Sequence, residues 1–251
     1  MDKIAVTHES SEQAQRQLQD RISAWLMELL EFPGYREWKN EQIVRTLLEG
    51  HLLNIDQAPF PDFEFPKEIE QYIDIVQGYH AILSTLFNVR ECEFYFKKYP
   101  FAGRNVSREA HLRTCCELFL SRVYQFRERL LRQLKRLDRR TKPKGIPVRQ
   151  IQQAFDERFG NYLAERNKVH HEEEYTDVQL KAIGIGDLLS IADDSPHWFK
   201  IPQGNYLKIR REWVKKVETA ATHLDIFVGL VAVLMLKRCD FLPKSRKSKK
   251  A

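Results

Sequence analysis

Apolar residues recur every three or four positions through most of this chain, the period that lays a single stripe along an α-helix. The clearest case lies between Ser107 and Arg140. There Leu112, Cys115/Cys116, Phe119/Leu120, Val123, Phe126, Leu130/Leu131, Leu134 and Leu137 step along one face. Arginines fill much of the space between them, the pattern of a packed bundle helix with a cationic outer surface. The same periodicity predicts helices around Glu12–Leu30, Glu37–Glu49, Lys67–Lys98, Val148–His170, Val178–Ala192 and Tyr206–Cys239. Helix breakers gather between these segments, at Pro33-Gly34, Pro59 to Pro66, Pro100 to Gly103, Pro143 to Pro147 and Pro196 to Gly204. No stretch of sustained alternation is flanked by hairpin turns, so no strand is required. The pattern therefore predicts an all-α fold: an antiparallel helix bundle of four to five core helices with additional N-terminal helices. Residues 1–103 form the N-terminal helical elaboration, 104–240 the bundle, and 241–251 a basic, disordered tail. Whether the first hundred residues make a unit of their own or add helices to the same core is left open by the pattern.

Composition agrees with a folded globular chain: 43% hydrophobic and 30% charged residues over 251 positions can bury a substantial core. Cys92, Cys115, Cys116 and Cys239 contain no CxxC pair and read as small buried side chains in a reducing compartment. The N-terminus lacks an apolar stretch of the secretory type, which gives a cytoplasmic expectation. The most apolar run, Ile226 to Leu236, is shorter than the ~20 residues that span a bilayer, so a buried bundle helix and no membrane span are expected.

Charge changes the picture more. The net charge is +6, but residues 104–149 hold 14 Lys/Arg against 4 Asp/Glu, and the segment after Leu236 is basic again. Such separation suits a surface that meets a polyanion. A solvated helix face followed by a basic tail produces the same count.

One run looks like a site. On the Val148–His170 helix, Ile151, Phe155, Phe159, Tyr162 and Leu163 mark the apolar stripe, and the next position on it is Arg166. An arginine on a core face is costly unless a partner satisfies it or the face opens onto a cleft or interface. Asn167, Lys168, Val169, His170 and His171 follow, then Glu172-Glu173-Glu174. Histidine moves protons near neutrality, and arginine offers a permanently charged fork for phosphate oxygens. Asn167 can orient either partner. Together they suit RNA cleavage without a metal: a base takes the 2′-hydroxyl proton and arginine stabilises charge on the pentavalent phosphate. A structural ion pair between Arg166 and a bundle carboxylate, with Glu117 on the neighbouring helix as the candidate, is the alternative reading.

An Arg, a polar residue, three further residues and a His near the end of a bundle helix resembles the signature of the HEPN superfamily. The spacing selects Arg166, Asn167 and His171, with His170 as a substitute for the working histidine. The downstream layout is similar too, with a variable loop, a short helix and a long final helix. The resemblance covers about six residues specifically and the order of helices over roughly 105–240. It implies a bundle that forms a homodimer with two motifs facing across a cleft, acting on RNA as a metal-independent endoribonuclease in toxin–antitoxin or antiviral defence. It also implies an antitoxin or nucleotidyltransferase partner. Other members bind RNA or nucleotide without cutting, so a non-catalytic binding or dimerisation module is the alternative function. The acidic Glu172–Glu174 run opposes an RNA phosphate at short range.

Other constellations are weaker. Arg104-Asn105 followed by His111 has looser spacing and opens a helix, which reads as a capping region with Ser107 as the cap. Adjacent histidines on a helix diverge by ~100°, and no HExxH, paired CxxC or Asp-rich loop occurs, so neither a metal site nor a cofactor is expected. His197, Trp198 and Phe199 offer aromatic faces in a Pro/Gly-flanked loop, for stacking on a base or for packing on the bundle.

Overall fold

The computed structural model describes residues 8–49, 61–98, 106–142, 144–171, 175, 178–192 and 200–244. Among these residues every regular element is an α-helix: α1 (His8–Leu29), α2 (Tyr35–Glu49), α3 (Lys67–Lys97), α4 (Arg108–Arg140), α5 (Val148–His171), α6 (Val178–Ala192) and α7 (Lys200–Arg238). The all-α expectation holds. Most helix ends fall within a few residues of those expected, because local chemistry fixes them. Ser107 caps α4 as anticipated, its Oγ accepting from the Ala110 N–H at 3.0 Å. The turn from α4 to α5 is set by Asp138, whose carboxylate accepts the N–H groups of Gly145 and Ile146, both at 2.8 Å. Gly145 takes φ +97 there, a left-handed conformation open to glycine without strain.

Helix α7 is the axis of the fold. Leu224, Val228, Val231, Ala232 and Met235 are completely buried, because α1, α3, α4 and α6 all pack against it. By length and composition the stretch Asn205–Arg238 would also pass as a bilayer span, a property it shares with the buried core helices of bundles. Its place in the core is decided by burial on several faces.

The N-terminal helices share this core. Leu18 and Ile22 of α1 and Ile82, Val89 and Phe96 of α3 belong to the same apolar cluster as Phe119, Phe155 and Val231. The alternative left open by the sequence is thereby resolved: α1 and α3 are walls of the one bundle. Among the described residues only α2 stands aside, held through Tyr35 and Trp38 against Phe63 and Phe65, which in turn meet Phe32.

Pairings across the helices give their directions. Asp74 meets Arg140 while Tyr95 meets His111, so α3 and α4 are antiparallel. Phe126 stacks on Phe155 while Phe119 meets Tyr162, which makes α4 and α5 antiparallel as well. Helix α1 departs from the antiparallel expectation. Ser11 Oγ donates to the Asp225 carbonyl at 2.9 Å and Arg21 reaches the Leu236 carbonyl, so α1 runs parallel to α7. Their close approach needs Gly229, where an added Cβ would lie 2.7 Å from the Ser11 Cα.

The domain boundary at 241 is corrected. Leu242 is buried, and the Phe241 ring stacks on Tyr72 at 4.1 Å and meets Trp25 edge-on. These two side chains close the end of the bundle, and the remaining tail, 245–251, lies outside the described residues.

Candidate functional site

The stripe on α5 behaves as its spacing requires for three turns. Ile151, Phe155 and Phe159 are buried, and Tyr162 and Leu163 are packed on the core. A fork between α4 and α5 fixes their register: Arg127 donates through Nε and Nη2 to the two oxygens of Asp156, at 2.6 and 2.8 Å. The guanidinium beside Asp156 holds its carboxyl below the usual carboxylate range.

Arg166 is the next residue on that stripe, and it is half-buried. Side chains on a helix lean toward its N-terminus, so this long arm reaches back along α5. Its guanidinium lies over the ring of Tyr124 on α4, 4.0 Å from the centroid. The ring's negative face stabilises the charge without neutralising it. Nη1 donates to Asn167 Oδ1 at 3.3 Å, and Nε is buried with no hydrogen-bond partner among the described residues. Among those residues no carboxylate lies at ion-pair distance from Arg166. Lys168 pairs with Glu165 at 3.2 Å on the exposed side, and Val169 packs against the core.

Glu117 has a different partner from the one considered for it. Its Oε1 accepts the backbone N–H of Tyr175 at 3.1 Å. The Tyr175 ring is buried and meets Trp213 edge-on at 5.9 Å. Glu117 thus pins the chain just beyond the end of α5 onto α4, while Trp213 holds it against α7. The backbone of His170 and His171 forms the last residues of α5, and their side chains lie outside the described residues. So do Glu172–Glu174, Arg104-Asn105, and the loop carrying His197, Trp198 and Phe199. The structure therefore places Arg166, Asn167 and Glu117 on adjoining helices, with both histidines one turn beyond Arg166 along α5.

His111, the histidine of the looser pattern, is buried, with Nε2 3.1 Å from the Tyr95 carbonyl. It ties α4 to the end of α3. Among the described residues no group of three His, Cys, Asp or Glu comes together as metal ligands would.

Two features were missed from the sequence. Tyr124 was passed over because it sits between stripe positions; the only signal was an aromatic residue on the helix that faces the motif. The α4 arginines do not all form the outward cationic surface that the sequence suggests. Several instead cross to neighbouring helices: Arg127 to Asp156, Arg129 to the Ala81 carbonyl and Thr85, Arg136 to the Asp74 carbonyl, and Arg140 to the Asp74 carboxylate.

Fold and site together define an all-α bundle with an arginine seated on an aromatic ring near the end of one core-lining helix, without a carboxylate partner among the described residues. Compared with protein-family models, with curated proteins and with solved structures, the chain matches none.

Proposed function

We propose that this protein is a HEPN-like, metal-independent endoribonuclease that works as a homodimer in toxin–antitoxin or antiviral defence. The observation that supports it is the environment of Arg166. A structural arginine on a core stripe is expected to find a carboxylate, and the one considered for it, Glu117, accepts instead from the Tyr175 N–H. Arg166 instead rests on an aromatic face and meets no carboxylate among the described residues, as suits a group kept for an anion from outside.

In this reading the phosphate of a bound RNA takes up the Arg166 guanidinium, and Asn167 orients the two. His171, with His170 as the substitute, removes the 2′-hydroxyl proton. The 2′-oxygen then attacks phosphorus and the bond to the 5′-oxygen breaks. The products are a 2′,3′-cyclic phosphate and a 5′-hydroxyl, whose oxygen takes up the proton that the histidine removed. Arg166 stabilises the negative charge that builds on the phosphoryl oxygens.

The purified chain should cleave RNA in EDTA to products with cyclic phosphate ends. Arg166→Ala and His171→Ala should each abolish cleavage while leaving the melting temperature within a few degrees. RNA that is bound but left intact by the unmodified chain would instead establish the non-catalytic module. Cleavage that survives Arg166→Ala would remove the assignment altogether.

A further inference from the structure

On the flank of α4 that faces α3, opposite the flank that carries α5, lies an open groove of about 490 Å³. Gln77, Gly78, Ala81 and Ser84 of α3 form one wall, and Arg129, Arg132 and Arg136 of α4 form the other. We propose that this groove binds the phosphodiester backbone of RNA, as a second contact remote from Arg166. The proposal rests on the ribonuclease reading for the identity of the polyanion.

Three observations support it. First, the three arginines sit at i, i+3 and i+7, which places them along one face of α4 over ~10 Å. That is longer than a single phosphate group, so a linked run of phosphates fits better than a lone ion. Among the described residues no carboxylate lines the groove, and the Asp74 carboxylate nearby is held by Arg140 at 2.6 Å.

Second, two of the arginines are anchored through one nitrogen only. Arg129 Nη1 donates to the Ala81 carbonyl at 3.0 Å and to Thr85 Oγ1. Arg136 Nη1 donates to the Asp74 carbonyl at 3.0 Å and to Gln133 Oε1 at 3.2 Å. The anchoring fixes each guanidinium and leaves its Nε–Nη2 edge, the edge that forks a phosphate, with no partner recorded among the described residues. Arg132 is exposed and adds an unanchored charge between them.

Third, the α3 wall is small. A Cβ at Gly78 would displace the Gln133 amide and the Arg136 guanidinium from the positions they hold there. With Ala81 and Ser84, Gly78 keeps that wall low, and Ser84 supplies a hydroxyl.

The test uses the full chain and a fluorescent single-stranded 2′-O-methyl RNA, which a 2′-hydroxyl-dependent cleavage cannot consume. Affinity is read by anisotropy across a series of salt concentrations. Arg132→Ala should weaken binding about five-fold and lower the slope of log K against log salt by about 0.7, one phosphate contact on a single strand. Ser84→Glu should weaken it further. Arg149→Ala removes one charge from an exposed site on α5 and should change neither quantity. Arg132 and Ser84 are exposed, so both variants should fold, which unchanged melting temperatures verify.

The inference is overturned if Arg132→Ala behaves as Arg149→Ala does, or if the unmodified chain does not bind the RNA at low salt. It is overturned equally if Arg132 is needed for binding phosphatidylserine vesicles while RNA binding is indifferent to it. Failure of the ribonuclease reading looks different: Arg166→Ala leaves cleavage intact or none is seen, while Arg132 still controls RNA binding.

Discussion

Replacing Arg166 with leucine separates a functional arginine from a structural one, because the two predict stability changes of opposite sign. Three effects follow from the surroundings of the side chain. The contact with Tyr124, 4.0 Å from ring centroid to guanidinium and half-buried, is lost at a cost of about 1 kcal/mol. The Nε–H that is buried without an acceptor among the described residues is removed, which relieves about 1–3 kcal/mol. Leucine also extends the apolar stripe beyond Tyr162 and Leu163, a gain of about 1 kcal/mol. The sum is a stabilisation of roughly 1–3 kcal/mol, and each kcal/mol moves the melting temperature of a domain this size by about 2–4 °C. Urea titrations followed by far-UV circular dichroism measure the first quantity and thermal melts the second. The same variant should lose at least ~100-fold in RNA cleavage, the usual effect of deleting a donor to developing oxyanion charge. A cost above ~1 kcal/mol, with the midpoint lowered, would show that Arg166 anchors the bundle and would refute the reasoning. Tyr124→Phe should keep the seat, whereas Tyr124→Leu should slow cleavage without matching the loss in the arginine variant.

Three other outcomes follow from the packing. Gly229→Ala should destabilise the fold by about 1–3 kcal/mol in urea, because α1 must move away from α7 at the Ser11 backbone. Asp156→Asn should remove about 1 kcal/mol at neutral pH, discounted for partial exposure of the pair. The Asp156 carboxyl is depressed in the folded state, so this contribution is present above the unfolded value near 3.9 and lost as pH falls through the folded one. The gap between the two proteins should accordingly close in acid. Finally, burial pushes the Cys92 thiol up to about 11 and those of Cys115 and Cys239 up to about 12. All four cysteines are buried, so a thiol-reactive disulfide reagent should titrate none of them until denaturant is added.

Much of the fold was readable locally. Periodicity and the Pro/Gly clusters placed the helices, and the identity of Ser107 predicted the cap that starts α4. These features depend on residues within one or two turns, so the chain carries them on its surface text. The location of the candidate site was equally local, since Arg166 interrupts a stripe whose preceding members are all apolar. Its chemistry was not. Spacing alone could not choose between a carboxylate and an aromatic ring as the partner of Arg166, because Tyr124 lies forty-two positions upstream and off the α4 stripe.

What the sequence by itself determined is therefore which face of each helix is buried and, for most helices, where it begins and ends; α7 starts six residues before the expected Tyr206. A 3.6-residue period says that a face needs cover, and it is silent about which other helix supplies it. Only the tertiary structure decided that α1 lies parallel to α7, that α1 and α3 complete the one core, and that Leu242 belongs to it. It also decided the fate of the arginines on α4. Their charge was plain from composition, but their acceptors on α3 lie 44 to 69 residues away, and Asp156 on α5 lies 29 away. Whether a cation faces solvent, a carbonyl or an aromatic ring depends on how helices far apart in sequence are brought side by side.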